Sequence, residues 1–368
     1  ISLAYGQRSL ALARKHQLAE QMAYTMNDIA RPLTMLGRVE EALDCWEQSR
    51  QLFRDQNNMP MVVDSMATAS SGYFLTGQLD LSLQRAQEAL ALGQKIGSIW
   101  GEGYAKLRTA FALAELGYVG QAIRDWNASV TLATGAGVLG MSFFLPAYEA
   151  LYSILLGASD HGQQLVNRLE ERIRQARRDN EDVGFGGAVN DIISHMRALL
   201  LLSQGDAEAA RAVPLTQIPD STSNLLDATA YSLLVGTEGR ILLATGDFAA
   251  ARRSAESMRN TLEERGLAIA LPTLDQIQGE ALAALGQHDR ARVILREAAE
   301  HAREMQARRQ LWPILGVLAR LAEEDGQDGV ASALRTEARQ IIELMAGDLD
   351  ESMRQAFLAL PEVREVTG

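Results

Sequence analysis

The chain has 368 residues, 47% of them hydrophobic and 22% charged, which is enough apolar side chain for a large core or several and too much for a disordered segment. Its net charge of −12 opposes binding to nucleic-acid phosphates or to an anionic membrane surface, and its single cysteine, Cys45, excludes an intramolecular disulfide and a cysteine-based zinc site. Only 8 prolines and 5% aromatic residues, beside abundant Ala, Leu, Glu, Arg and Gln, favour helix over strand, so the expected class is all-α.

The first segment, "LALARK" at 10–15, stands 80 residues before "LALGQK" at 90–95, which places the opening residues in the second helix of a truncated hairpin. "LGRVEEAL" at 36–43 then returns as "LGYVGQAI" at 116–123 and "LGQHDRAR" at 285–292. Glycines fall at 37, 77, 117 and 157, forty residues apart; Gly205 follows after 48, and Gly246, Gly286 and Gly326 after 41, 40 and 40. Five residues after each glycine stands a small residue (Ala42, Ser82, Ala122, Gly162, Ala210, Ala251, Ala291, Ala331), and seven before each stands another (Ala30, Ser70, Ala110, Ala150, Ala198, Gly239, Gly279, Ala319). Two small positions flanking a turn let two antiparallel helices touch backbone to backbone, so the unit is a helical hairpin. One hairpin cannot bury its own apolar face, and a period of this length therefore predicts a stack of them, an α-solenoid.

Between hairpins, Gly97, Gly137 and Gly266 are predicted to end second helices in a left-handed conformation, and Pro60 and Pro272 to open the next first helices. Pro32 falls inside a first helix and is expected to kink it. The apolar run at 141–158 contains Pro146 and Glu149 and reads as a buried core helix, not a membrane span. The 48-residue step divides the chain into residues 1–178, an irregular loop at 179–190 where the halves are expected to hinge, and residues 191–347. Met353, Phe357 and Leu360, at helical spacing in 348–368, predict a helix capping the apolar end of the last hairpin.

The small residue of the first helix, the Gly-x-large-x-x-Ala turn and the further small residue seven positions on (Ser49, Ala89, Ser129, Ala298, Ala338) resemble the tetratricopeptide repeat (TPR) family over nearly the whole chain. The period near forty, longer than the standard repeat, is similar to the sensor regions of bacterial STAND-type signalling ATPases, of LuxR-type activators of the maltotriose-sensing kind, and of cyclase-linked regulators. That resemblance implies a right-handed superhelix with first helices on its concave face, a cytoplasmic setting and a protein or peptide partner, or a small molecule, bound on that face. The chain opens on Ile1, and an N-terminal effector domain is expected in a longer parent polypeptide.

No motif in the chain carries catalysis. "GAGVLG" at 135–140 matches a dinucleotide fingerprint in letters, but it follows a helix in phase with the repeat and lacks the preceding strand. His16, His161, His195, His288 and His301 are scattered without metal-ligand spacing, so no metal and no cofactor is expected. Arg168, Arg172, Arg174, Arg177 and Arg178, interleaved with Glu170 and Glu171, read as a solvated, salt-bridged face. Trp46 and Trp126, each nine residues after a turn glycine, read as core.

First-helix residues that project away from the packing face define the expected ligand or partner site. They are Tyr24, Asn27 and Arg31 in repeat 1, Asp64 in repeat 2, Tyr104, Arg108 and Phe111 in repeat 3, Phe144 and Tyr148 in repeat 4, and His195 in repeat 5, with Arg240, Gln276 and Glu280 projecting similarly from later repeats. Aromatic rings beside Arg and Asn suit a peptide or small-molecule groove. The expected function is a non-catalytic sensor or interaction module of a signalling or transcription-regulatory protein; a protein-interaction or oligomerisation scaffold without a small ligand is the alternative.

Overall fold

The computed structural model describes residues 2–135, 141–179, 186–215, 229 and 232–368. Among them run nineteen α-helices and no strand. After α1 (Ser2–Lys15) come eight hairpins: α2 (Ala19–Met35) with α3 (Val39–Asp55), α4 (Met59–Leu75) with α5 (Leu79–Lys95), α6 (Ile99–Glu115) with α7 (Val119–Gly135), and α8 (Met141–Leu155) with α9 (Ser159–Arg178). The series continues with α10 (Gly186–Ser203) and α11 (Ala207–Ala212), α12 (Thr237–Ala244) and α13 (Phe248–Glu264), α14 (Leu271–Ala284) and α15 (His288–Glu304), and α16 (Arg308–Glu324) and α17 (Asp328–Asp348). Two short helices, α18 (Glu351–Leu358) and α19 (Pro361–Thr367), end the chain. The protein is an all-α solenoid of TPR-like hairpins.

Each hairpin turns for the same reason. All eight turn glycines have positive φ, between 70° and 96°, where a side chain would be strained. At the first turn the Arg38 N–H reaches back to the Leu33 carbonyl (2.9 Å) and the Gly37 N–H to Thr34 (3.0 Å), closing the open end of α2; the same pair recurs at 77 and 78, with Phe74 and Tyr73 accepting. The small positions then meet: the Ser82 hydroxyl donates to the Ser70 carbonyl at 2.9 Å, and a Cβ on Gly162 would lie 3.3 Å from the Ala150 oxygen. The junctions between hairpins need the same left-handed residue, met by Gly97 and Gly266 and by Gln17, Asn57 and Gln306. Gly137 lies outside the described residues.

Local departures from the sequence reading have physical causes. Pro32 stands inside α2, which runs on to Met35 with one backbone donor fewer. Of the loop expected at 179–190, residues 180–185 lie outside the described residues, and α10 already begins at Gly186, so Gly186 and Gly187 sit in a first helical turn. α11 stops after six residues, two before Pro214.

The periodicity alone does not disclose that the superhelix touches itself. The turn at Gly37 abuts Arg265, that at Gly77 abuts Met305, and that at Gly117 abuts Met345. In each case the partner lies 228 residues on (37 to 265, 77 to 305, 117 to 345), so one superhelical turn takes between five and six hairpins. The Gly157 turn meets Ala356 and Leu360 of the terminal helices. Polar links follow the same seam: Arg124 pairs with Asp348 at 2.9 Å, the Gln121 N–H donates to the same carboxylate at 2.9 Å, and Gln306 reaches Asp80.

Candidate functional site

The sequence-predicted residues separate into a polar ladder and an aromatic core. Asn27 and Arg31 on α2, Asp64 and Thr68 on α4, and Tyr104 and Arg108 on α6 occupy successive rungs. Asn27 donates to Asp64 at 3.1 Å, and Arg31 stands 3.9 Å from the same carboxylate. Thr68 and Tyr104 share a hydrogen bond of 3.2 Å, and Arg108 donates to the Tyr104 hydroxyl at 2.7 Å with its guanidinium 4.8 Å from the ring centre. Trp100 stacks on Tyr104 at 5.6 Å. Arg108 is only 3% exposed, and its Nε and Nη1 have no hydrogen-bond partner among the described residues. Burial alone would lower the Arg31 pKa, yet Tyr104, Asp64 and Asp28 together hold it above the ordinary value.

Tyr24 turns toward the neighbouring hairpin, its hydroxyl accepting from Asn58 (3.3 Å) and its ring edge-on to Phe53 (5.0 Å). Phe111 and Tyr148 are buried in a cluster with Trp126, the first two in T-shaped contact at 4.6 Å. Their surface is spent on holding repeats 3 and 4 together. His195 is buried on α10, and the side chain of Phe144 lies outside the described residues. Burial pushes the Cys45 thiol up, with Asp44 and Glu41 adding to the shift, as befits an unreactive packing residue. Among the described residues no group of three or more His, Cys, Asp or Glu could hold a metal, and no helix is long and apolar enough to cross a membrane.

A second feature lies toward the other end of the solenoid. A chamber of about 540 Å³ is bounded by α8, α12, α14, α16 and the terminal helices. Its apolar wall includes Leu155, Leu243, Ile277, Trp312, Val317, Met345 and Phe357; Trp312 meets Phe357 edge-on at 5.9 Å. Three of its six charged residues stand at one repeat-equivalent position, six residues before the turn glycine on three consecutive first helices: Arg240, Glu280 and Arg320, the others being Arg309, Glu362 and Glu365. Four residues earlier come Gly236, Gln276 and Gly316, of which Gln276 and Gly316 line the chamber; a Cβ on Gly316 would stand 3.2 Å from Val366. Arg240, Gln276 and Glu280, which the sequence reading projected from the later first helices, all line this chamber.

One wall of the chamber belongs to both turns of the superhelix. Glu115, at the end of α6, is fully buried and accepts from Arg309 Nε (2.7 Å) and Nη2 (2.9 Å), from the Tyr152 hydroxyl (2.9 Å) and from Gln310 (2.9 Å). Tyr152 and Arg309 also line the chamber. Burial raises the Tyr152 pKa well above the ordinary value, and the Glu115 charge adds to this. Burial opposes the charge on Arg309, but Glu115 and Tyr152 outweigh it and hold its pKa up.

No family model matches the chain, and no curated protein matches it in sequence. Among solved structures, the chain is similar to yeast Tom70, with 13% identity over 99% of this chain and 84% of that one and a TM-score of 0.35. It is also similar to a circular tandem repeat protein with novel repeat topology and enhanced subunit contact surfaces, with 15% identity over 94% and 96% of the two chains and a TM-score of 0.22. The assignment as a solenoid rests on the chain's own hairpin geometry.

Proposed function

We propose that this chain is a non-catalytic, TPR-like sensor or interaction module of a larger bacterial signalling or transcription-regulatory protein, and that it takes a small ligand or short peptide inside its concave surface. The chamber carries this reading. Its volume is in the range of ligand sites, its wall is apolar and aromatic, and a few charged groups converge on it. No Ser, Thr, Cys or His is among its described lining residues, which favours binding over covalent or imidazole-based catalysis. In the ladder nearer the N-terminus Asn27, Asp64, Tyr104 and Arg108 are buried, so polar contacts to a partner there would fall to the half-buried Arg31, with Tyr24 at its edge.

Ala244 lines the chamber yet is exposed, so Ala244→Trp should fill the space without disturbing the fold. A thermal-shift screen with small molecules and short peptides should then yield compounds that stabilise the wild type by mass action and lose that effect in the filled variant. Stabilisation that survives the filling would place the site elsewhere. A screen without any stabilising compound would favour the scaffold reading.

A further inference from the structure

The charges in the chamber constrain what it can hold. Arg240 faces the space with no ion pair and no hydrogen bond among the described residues. Glu280, at the equivalent position of the next first helix, has one oxygen accepting from Gln276 at 2.7 Å and no hydrogen bond to the other among the described residues. The two attract each other, yet they form no ion pair; each keeps its charge turned to the same space. Burial lowers the Arg240 pKa, with the Arg309 charge acting the same way, and burial raises that of Glu280, so both charges are short of compensation. Arg309 is engaged with Glu115 and Arg320 with Glu365 at 3.7 Å, while Glu362 adds a second carboxylate to the wall near Arg240, without an ion pair among the described residues.

An uncharged ligand would leave both groups desolvated without a counter-charge. A monoanion would satisfy Arg240 but stand beside Glu280 and Glu362; a monocation would satisfy Glu280 but stand beside Arg240 and Arg309. A ligand carrying both signs satisfies both residues, and its body must be apolar to match Leu243, Ile277, Trp312 and Phe357. We propose that the chamber takes a zwitterion with an apolar body, an amino acid or short peptide with free termini, its carboxylate held by Arg240 and its ammonium by Glu280. This rests on the chamber being a ligand site.

The test uses calorimetric titration with apolar dipeptides (Leu-Leu, Phe-Leu, Leu-Phe) and the corresponding free amino acids, each offered free, N-acetylated, C-amidated and doubly capped. A free form should bind, and each cap should weaken it by about thirtyfold, the lower range for unpairing a buried charge. In Arg240→Gln the penalty for the amide should vanish while that for the acetyl group persists; Glu280→Gln should show the converse. Capped forms that bind as well as free ones, or cap penalties that neither variant alters, would overturn the assignment. If only neutral or singly charged compounds bind, and their stabilisation is lost in Ala244→Trp, the zwitterion is wrong and the chamber remains the site. If no compound of any class shows stabilisation that depends on Ala244, the assignment and the chamber reading fall together.

Discussion

Removing the Glu115 carboxylate tests whether the superhelix is held closed across its seam. Glu115→Ala deletes the acceptor of four hydrogen bonds and leaves Tyr152, Gln310 and the Arg309 guanidinium in place around a void. Glu115 is wholly buried and the Arg309 side chain 13% exposed, so solvent compensates little of the loss. Breaking such a pair from one side costs about 3–5 kcal/mol, most of it the penalty of the charge left behind. Removing both partners in Glu115→Ala/Arg309→Met should therefore recover much of the stability that the single change loses. Urea titrations of the wild type, both single variants and the double variant give the coupling directly, and small-angle scattering in zero urea reports whether the seam opens, as an increase in radius of gyration. A single Glu115→Ala variant within about 1 kcal/mol of wild type, well under that range, would refute the reasoning. So would a double variant less stable than either single one.

The remaining predictions probe the repeat and the chamber. Ala122 is fully buried where α7 crosses α6, so Ala122→Leu should overpack the hairpin and cost about 1–3 kcal/mol in thermal or urea unfolding. Asn57 holds a φ of 56° at the junction of α3 and α4. Asn57→Gly should relieve part of the roughly 1–2 kcal/mol charged to a side chain in that conformation, raising the melting temperature. Glu280→Gln should stabilise the unliganded protein at neutral pH. Burial raises the folded-state pKa of Glu280, so its contribution is most favourable below the unfolded value near about 4.3 and is lost as pH rises through the folded value. The gap between variant and wild type should accordingly open with rising pH, and a gap independent of pH would count against the burial of an undercompensated charge.

The hairpins were legible because each needs the same two devices at fixed spacing, a residue free to take positive φ and a small residue at the crossing, and both are visible as letters. The inter-hairpin junctions were harder to read, since Gln17, Asn57 and Gln306 adopt the left-handed conformation without announcing it. The seam was not legible at all. A contact between residues 228 apart depends on the small rotation each hairpin adds to the last, and no local pattern encodes that sum. Its members, Glu115 and Arg309, look like ordinary helix-end charges until the superhelix brings them to 2.7 Å. For the candidate site, aromatic content in the sequence did not tell filled space from open space. Phe111 and Tyr148 fill the interior of repeats 3 and 4, whereas Trp312 and Phe357 stand at the wall of an open chamber. Whether a ring projects into a groove or packs into a core depends on how the next hairpin is rotated, which the spacing of one helix does not state.

The seam and the chamber are one construction. Tyr152 and Arg309 hold Glu115 on one side and face the chamber on the other, with the Arg309 guanidinium 5.9 Å from the centre of the Tyr152 ring. Leu155 and Leu156 belong to the first superhelical turn, and Ile277, Trp312 and Val317 to the second, so anything filling the space is gripped by both. Leu360 of the terminal segment closes the same wall while packing on the Gly157 turn. In a solenoid each hairpin otherwise touches only its neighbours, and an event at one end fades along the stack. A contact that jumps 194 residues, from Glu115 to Arg309, bypasses four hairpins at once. The proposed occupant and the closure of the superhelix would therefore draw on the same two side chains, and any effect of one on the other is reciprocal.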